Sequence, residues 1–268
     1  MEISAASTHV SRGSGQRLAI LLLAFLQILV TLLPSLGFGA PIGDRSDGSR
    51  TLITPAGWAF SIWGPLYAGS LAYAVYQFLP AQAHNGLLAR IGWASAGAFL
   101  GNAAWALYVQ SIALDFGSVL IILFTLLCLL HIYRTFAGAA HAFSRGERFL
   151  VVLPLSALAA WLTAATIVNI AATLKYHGVD PGGSAAAISA AIVLVGGLIA
   201  AAALWAGRGN PWYALVFLWA LAAIYAAGGQ QQALIAAAAA LAALLVLIAA
   251  AARLGRADNR RHWFATLP

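Results

Sequence analysis

The chain has 268 residues, 62% of them hydrophobic and only 8% charged, with 14 Lys+Arg against 7 Asp+Glu. A soluble domain carries about a quarter charged residues, so this chain has too few to clothe a water-facing surface and reads as an integral membrane protein. Its one cysteine, Cys128, excludes an internal disulfide, a CxxC redox pair, a CxxCH haem attachment and a zinc cluster, and its scattered arginines form no stripe for nucleic acid.

A tail (1–17) is followed by eight apolar runs, at 18–38, 56–79, 87–114, 117–136, 149–174, 184–206, 211–227 and 232–252. Each is close to the roughly 20 residues that cross a bilayer as a helix, and no acidic residue lies well inside one. The expected fold is an all-α, polytopic transmembrane bundle of about eight helices. Residues 176–183 form a linker and 253–268 a basic tail. Lys and Arg favour cytoplasmic segments. With both termini cytoplasmic, Arg12, Arg17, Arg90, Arg134, Arg145, Arg148, Arg208, Arg253, Arg256, Arg260 and Arg261 are inside, and only Arg45, Arg50 and Lys175 are outside. A cleaved signal peptide ending near Ala40 satisfies the same bias with seven spans. The apolar stretch is long for such a signal, and a retained first helix is the expectation.

The second span opens with the densest motif. Pro55 suits a first helical turn, and Phe60, Trp63 and Tyr67 stand at i, i+3 and i+7, one aromatic face, with Trp58 nearer the membrane edge. Pro65 is expected to bend the helix. In the third span Asn102 and Trp105 share a face, with Gln110 further along. In the fifth, Trp161, Ala165 and Asn169 form a seam of ring, gap and amide. Each feature serves equally as packing, an interfacial belt or polar glue between helices. Together they offer a wall for a planar apolar ligand.

Composition changes near residue 180: helices before it mix aromatics, Pro, Asn, Gln and Thr, whereas those after it are dominated by Ala and Leu. No acid or base lies deep in a span, which argues against proton-driven transport. His131 near an inner helix end reads as interfacial, and Asp115 and Asp180 read as caps at outer helix ends.

These motifs resemble the TspO/MBR family, the tryptophan-rich sensory proteins that include the mitochondrial translocator protein. Pro55, Trp58, Phe60, Trp63, Leu66 and Tyr67 follow that family's second-helix pattern, Asn102 and Trp105 its third, and Trp161, Ala165 and Asn169 its fifth. Ala56 replaces the second proline of the pattern, the interval from Phe60 to Trp63 is one residue short, and Leu158 stands where a tyrosine is usual. The resemblance covers residues 18–175, a five-helix core, and leaves 184–252 as an extension of three helices. It implies a pocket for porphyrins or other planar or sterol-like molecules beneath a lid at 41–54. The pocket residues it implies are Trp58, Phe60, Trp63, Tyr67, Asn102, Trp105, Trp161, Ala165 and Asn169. The expected ligand is a non-covalent porphyrin or haem-type molecule. The expected partners are the lipid bilayer and this small hydrophobic ligand, with no nucleic acid, and a homodimer is left open. The setting is a bacterial cytoplasmic membrane. A permease for such a molecule is the alternative function, and light-dependent porphyrin degradation a third.

Overall fold

A computed structural model of the chain describes residues 12–265; the rest of the two terminal tails lies outside the described residues. Eight long helices follow in order: α1 (Ser14–Leu36), α2 (57–78), α3 (Gly86–Ser111), α4 (Phe116–Ala137), α5 (Arg145–Tyr176), α6 (Gly182–Ala206), α7 (Pro211–Gly229) and α8 (Ala233–Leu254). A short helix, α9 (Ala257–Phe264), closes the described chain. The molecule is an all-helical membrane bundle. Six of the long helices, α1 and α4 to α8, are long and apolar enough to cross a membrane. The other two are as long, but they carry Ser70, Gln77, Ser95, Asn102 and Gln110, all turned inward and buried.

Side-chain chemistry sets the helix boundaries. Asp115 caps α4 by accepting the Gly117 and Ser118 N–H groups, as its position at a helix end foretold. Ser144 and Glu147 form a reciprocal capping box at the start of α5. Asn210 caps α7 in front of Pro211, a residue suited to the first helical position. The second span differs from the expected kinked α-helix. It starts as a 3-10 turn, Gly57–Ile62, and becomes α-helical at Trp63, so Pro65 falls in the first α turn and the change of pitch absorbs its missing N–H.

Helices α1 to α5 close into a ring in the order α1, α2, α5, α4, α3. The central element is α5, whose apolar window is 78% buried, against 22% for α1. Outside the ring, α7 lies along α5, and α8 packs against both α6 and α7. The α6–α8 contact explains the Ala-rich composition: Gly197, Ala200, Ala238, Ala239 and Ala242 are buried, and a Cβ on Gly197 would lie 2.5 Å from the Ala242 Cβ. Small residues let these backbones approach closely in a solvent as apolar as leucine. Large side chains such as Leu120, Leu127 and Leu215 point outward, as a lipid-facing surface requires.

Both ends of the described chain meet at one end of the bundle. There the Arg12 guanidinium donates to the Gln77 carbonyl (3.1 Å) and Oε1 (2.7 Å). The α9 helix docks at the same end on α4 and the turn after α6, with Trp263 Nε1 donating to the Arg208 carbonyl (3.1 Å) and His262 Nε2 to the Phe136 carbonyl (3.0 Å). The ring here is filled by packed side chains such as Tyr73, Phe99, Leu129 and Leu158. The opposite end is roofed by the segment joining α1 to α2.

Candidate ligand-binding site

The roof, residues 37–56, carries a short helix, Ile42–Gly48. Its leading edge is pinned to α3: the Ala40 N–H donates to the Gln110 carbonyl at 2.9 Å, and the Arg45 guanidinium donates to the same oxygen at 3.3 Å. Gly39 makes this approach feasible, since its φ is +75° and a Cβ would sit 2.7 Å from that carbonyl. Its trailing edge reaches α7, where the Ala56 N–H donates to the Ala223 carbonyl at 3.0 Å.

Beneath this lid lie two adjoining cavities. The larger, a half-open cleft of about 720 Å³, is bounded by the lid, α1, α2 and α3, with Trp63, Tyr67, Asn102, Trp105 and Gln110 among its walls. The smaller, about 60 Å³, lies deeper against α5 and is bordered by Trp161, Ala165, Val168 and Asn169, with Ala220 and Ile224 of α7 behind. Phe60, Trp105, Ile42 and Ser46 border both, so the two are chambers of one site. The smaller has room for a substituent rather than a macrocycle.

Of the nine residues singled out from the sequence, eight border these chambers. Trp63 stacks on Tyr67, with centroids 5.1 Å apart and planes 27° from parallel, and meets Trp161 edge-on at 6.2 Å. Phe60 also meets Trp161 edge-on, at 6.1 Å. Trp58 departs from the expectation: it borders neither chamber, is 48% exposed, and packs edge-on against Trp219 of α7 at 4.8 Å. Five residues separate it from Trp63, a rotation of about 140° at α pitch and about 240° at 3-10 pitch. Either places the two indoles on different faces.

The two asparagines are engaged within the protein. Asn102 Nδ2 donates to Gln27 Oε1 of α1 at 3.1 Å. Asn169 Oδ1 accepts from Trp105 Nε1 (2.9 Å), while its Nδ2 donates to Ser118 Oγ (2.9 Å). Asn169 is thus engaged at both ends and orients the Trp105 ring, while Asn102 commits its Nδ2 to α1. Four buried polar atoms at the site and its lid do lack a partner: Trp161 Nε1, Gln110 Oε1, Gln27 Nε2 behind Asn102, and Arg45 Nε in the lid. His131 lies elsewhere, exposed on α4 beside the Arg90 carbonyl.

Sequence reading missed Gln27, one amide in an apolar run with nothing to mark its partner. It also missed Ala220, Ala223 and Ile224, which are unremarkable in an Ala/Leu-rich helix. Trp219, a large ring midway along α7 that donates to the Ala59 carbonyl, was the available signal.

A family model described as TSPO-like protein matches residues 16–252, nearly the whole described chain. The chain belongs to the TSPO-like family. No curated protein and no solved structure gives a significant match. The TSPO-like match takes in α6, α7 and most of α8, so the extension falls within the family's own span and is not an unrelated appendage.

Proposed function

We infer that this TSPO-like protein is a membrane-embedded sensory or binding protein for a planar hydrophobic ligand, most simply a tetrapyrrole. The observation that carries the reading is the larger chamber, roofed by the lid and walled by Trp63, Tyr67 and Trp105. Flat rings placed against such faces gain apolar burial and stacking, each aromatic pair adding about 0.5–1.5 kcal/mol beyond area. Gln110 Oε1, buried and unpartnered, offers an acceptor to a ligand N–H, and an unmet acceptor at that depth is costly. Arg50 at the mouth is paired through its Nε with Asp47 at 3.4 Å and leaves its outer guanidinium nitrogens for a carboxylate-bearing rim.

Both chambers lie in the lid half of the bundle, while the arginine-rich half of the ring is filled by packed side chains. That arrangement favours holding a ligand over passing it through. The arginine-rich end faces the cytoplasm of a bacterial cell in this reading, following the cationic bias of inward segments. Titration of the purified protein with protoporphyrin should give saturable tryptophan quenching that weakens in W105F and W161F. Quenching unchanged in both variants would contradict this site, and tetrapyrrole flux across liposomes would favour the permease.

A further inference from the structure

We propose that α7, from the Ala-rich extension, is a working part of the ligand site: it latches the lid, and its Ala220–Ile224 face selects among porphyrins by their peripheral side arms. The second half rests on the binding reading above; the latch does not.

Three contacts join α7 to the lid and the start of α2. The Ala56 N–H donates to the Ala223 carbonyl at 3.0 Å, and Trp219 Nε1 donates to the Ala59 carbonyl at 3.1 Å. At the end of α7 the helix widens into a π turn, Tyr225–Gly229, which carries one extra residue and re-aims the backbone. Gly228 in this turn lies so close to the lid that a Cβ would fall 1.8 Å from the Leu52 carbonyl oxygen. The lid therefore seats on α7 backbone that only glycine leaves bare.

Along the same helix, Ala220 and Ile224 close the back of the smaller chamber. That chamber opens behind Phe60 and Trp105, the two rings that also border the larger one, so a macrocycle in the larger chamber presents its substituents to it. Trp161 borders the same space, with its Nε1 buried and unpartnered, a donor for an acceptor on such an arm. Bulk at Ile224 and Ala220 thus limits arm length, as a wall does in any apolar specificity pocket.

Two experiments separate the halves. Nanodisc-embedded protein treated with trypsin should be cut after Arg45 and Arg50 severalfold faster in G228L, and moderately faster in W219F, than in wild type. Equal rates in both variants overturn the latch. For the wall, I224W should weaken protoporphyrin by about tenfold and porphine, which has no arms, by far less; I224A should bind protoporphyrin at least as well as wild type. Wild-type affinity for protoporphyrin in I224W, with W105F still impaired, overturns the wall and leaves the binding reading standing. Absence of saturable binding in wild type overturns that reading and, with it, the wall, while the proteolysis still decides the latch.

Discussion

The five-helix ring and the three-helix extension both use small residues at close approach, Gly69, Gly97 and Gly101 in the ring and Gly197 in the extension, but the ring adds polar links between its helices. The ring joins its helices through polar side chains: Asn102 to Gln27, Trp105 to Asn169, Asn169 to Ser118, Tyr73 to Ser95. The extension brings α6 and α8 together through glycine and alanine at close approach. Polar links fix the rotation of each helix and so aim the indoles at one space, whereas small-residue seams fix distance and leave the surface plain. The helix that borders both regions, α7, combines them. Asn210 and Tyr213 bond it to Ser156 and Thr163 of α5, and its other end meets the lid through backbone atoms.

The strongest test of this contrast lies at that border. Asn210 is fully buried, caps α7 and donates to Ser156 Oγ at 2.9 Å. N210A removes a cap and leaves the buried Ser156 hydroxyl without that donor, so thermal unfolding in mild detergent should show a loss of about 2–3 kcal/mol. A loss below that of an ordinary lipid-facing substitution would mean that α7 is held by packing alone. W105F comes next: it strips the N–H from Asn169 Oδ1 and should cost about 1–3 kcal/mol. W161F, whose Nε1 has no partner in the protein, should lose less stability in the same assay. If W161F proves the more damaging of the two, the polar links do not organise the ring.

A smaller effect concerns the arginine end. His262 lies on the buried face of α9, and burial first, then the nearby Arg208 and His141, push its pKa down to about 4, against the upward pull of its bond to the Phe136 carbonyl. Asp258 and Arg261 of α9 border the same cleft. The undocked imidazole keeps its ordinary value near 6.5. Docking is therefore fully favourable above about 6.5 and weakens as pH falls from there toward 4, because only the undocked state takes up the proton. Hydrogen exchange across 257–264 should rise over that interval while the lid stays unchanged; a flat profile would contradict the burial of His262. The smallest effect is expected for W58F. Trp58 contacts only Trp219 among the rings of the site region, so protoporphyrin affinity should stay within about twofold of wild type, the loss of part of one edge contact.

The sequence made the ring largely legible. Eight apolar runs gave eight helices, and Phe60, Trp63, Tyr67, Trp105, Trp161, Ala165 and the two asparagines converge because i, i+3, i+4 and i+7 spacing is a local property. Three things were out of reach. The 3-10 start of α2 is one, because pitch there depends on how the lid enters the helix, whereas the outward turn of Trp58 follows from its five-residue spacing to Trp63 at either pitch. The amides proved to be bonded to protein partners, because pairing across helices depends on distant residues such as Gln27 and Ser118. The part played by α7 was hidden because backbone carbonyls, a glycine and two aliphatic side chains carry no motif.

The proposed function requires a planar ring in the space between Trp63 and Trp105 beneath the lid. A structure of the protein saturated with protoporphyrin tests it most directly. The account predicts density for the macrocycle beneath Ile42–Gly48, against Trp63, Tyr67 and Trp105, with one edge toward Phe60 and Ile224. Density on the lipid-facing surface, with the space beneath the lid unchanged, would contradict it.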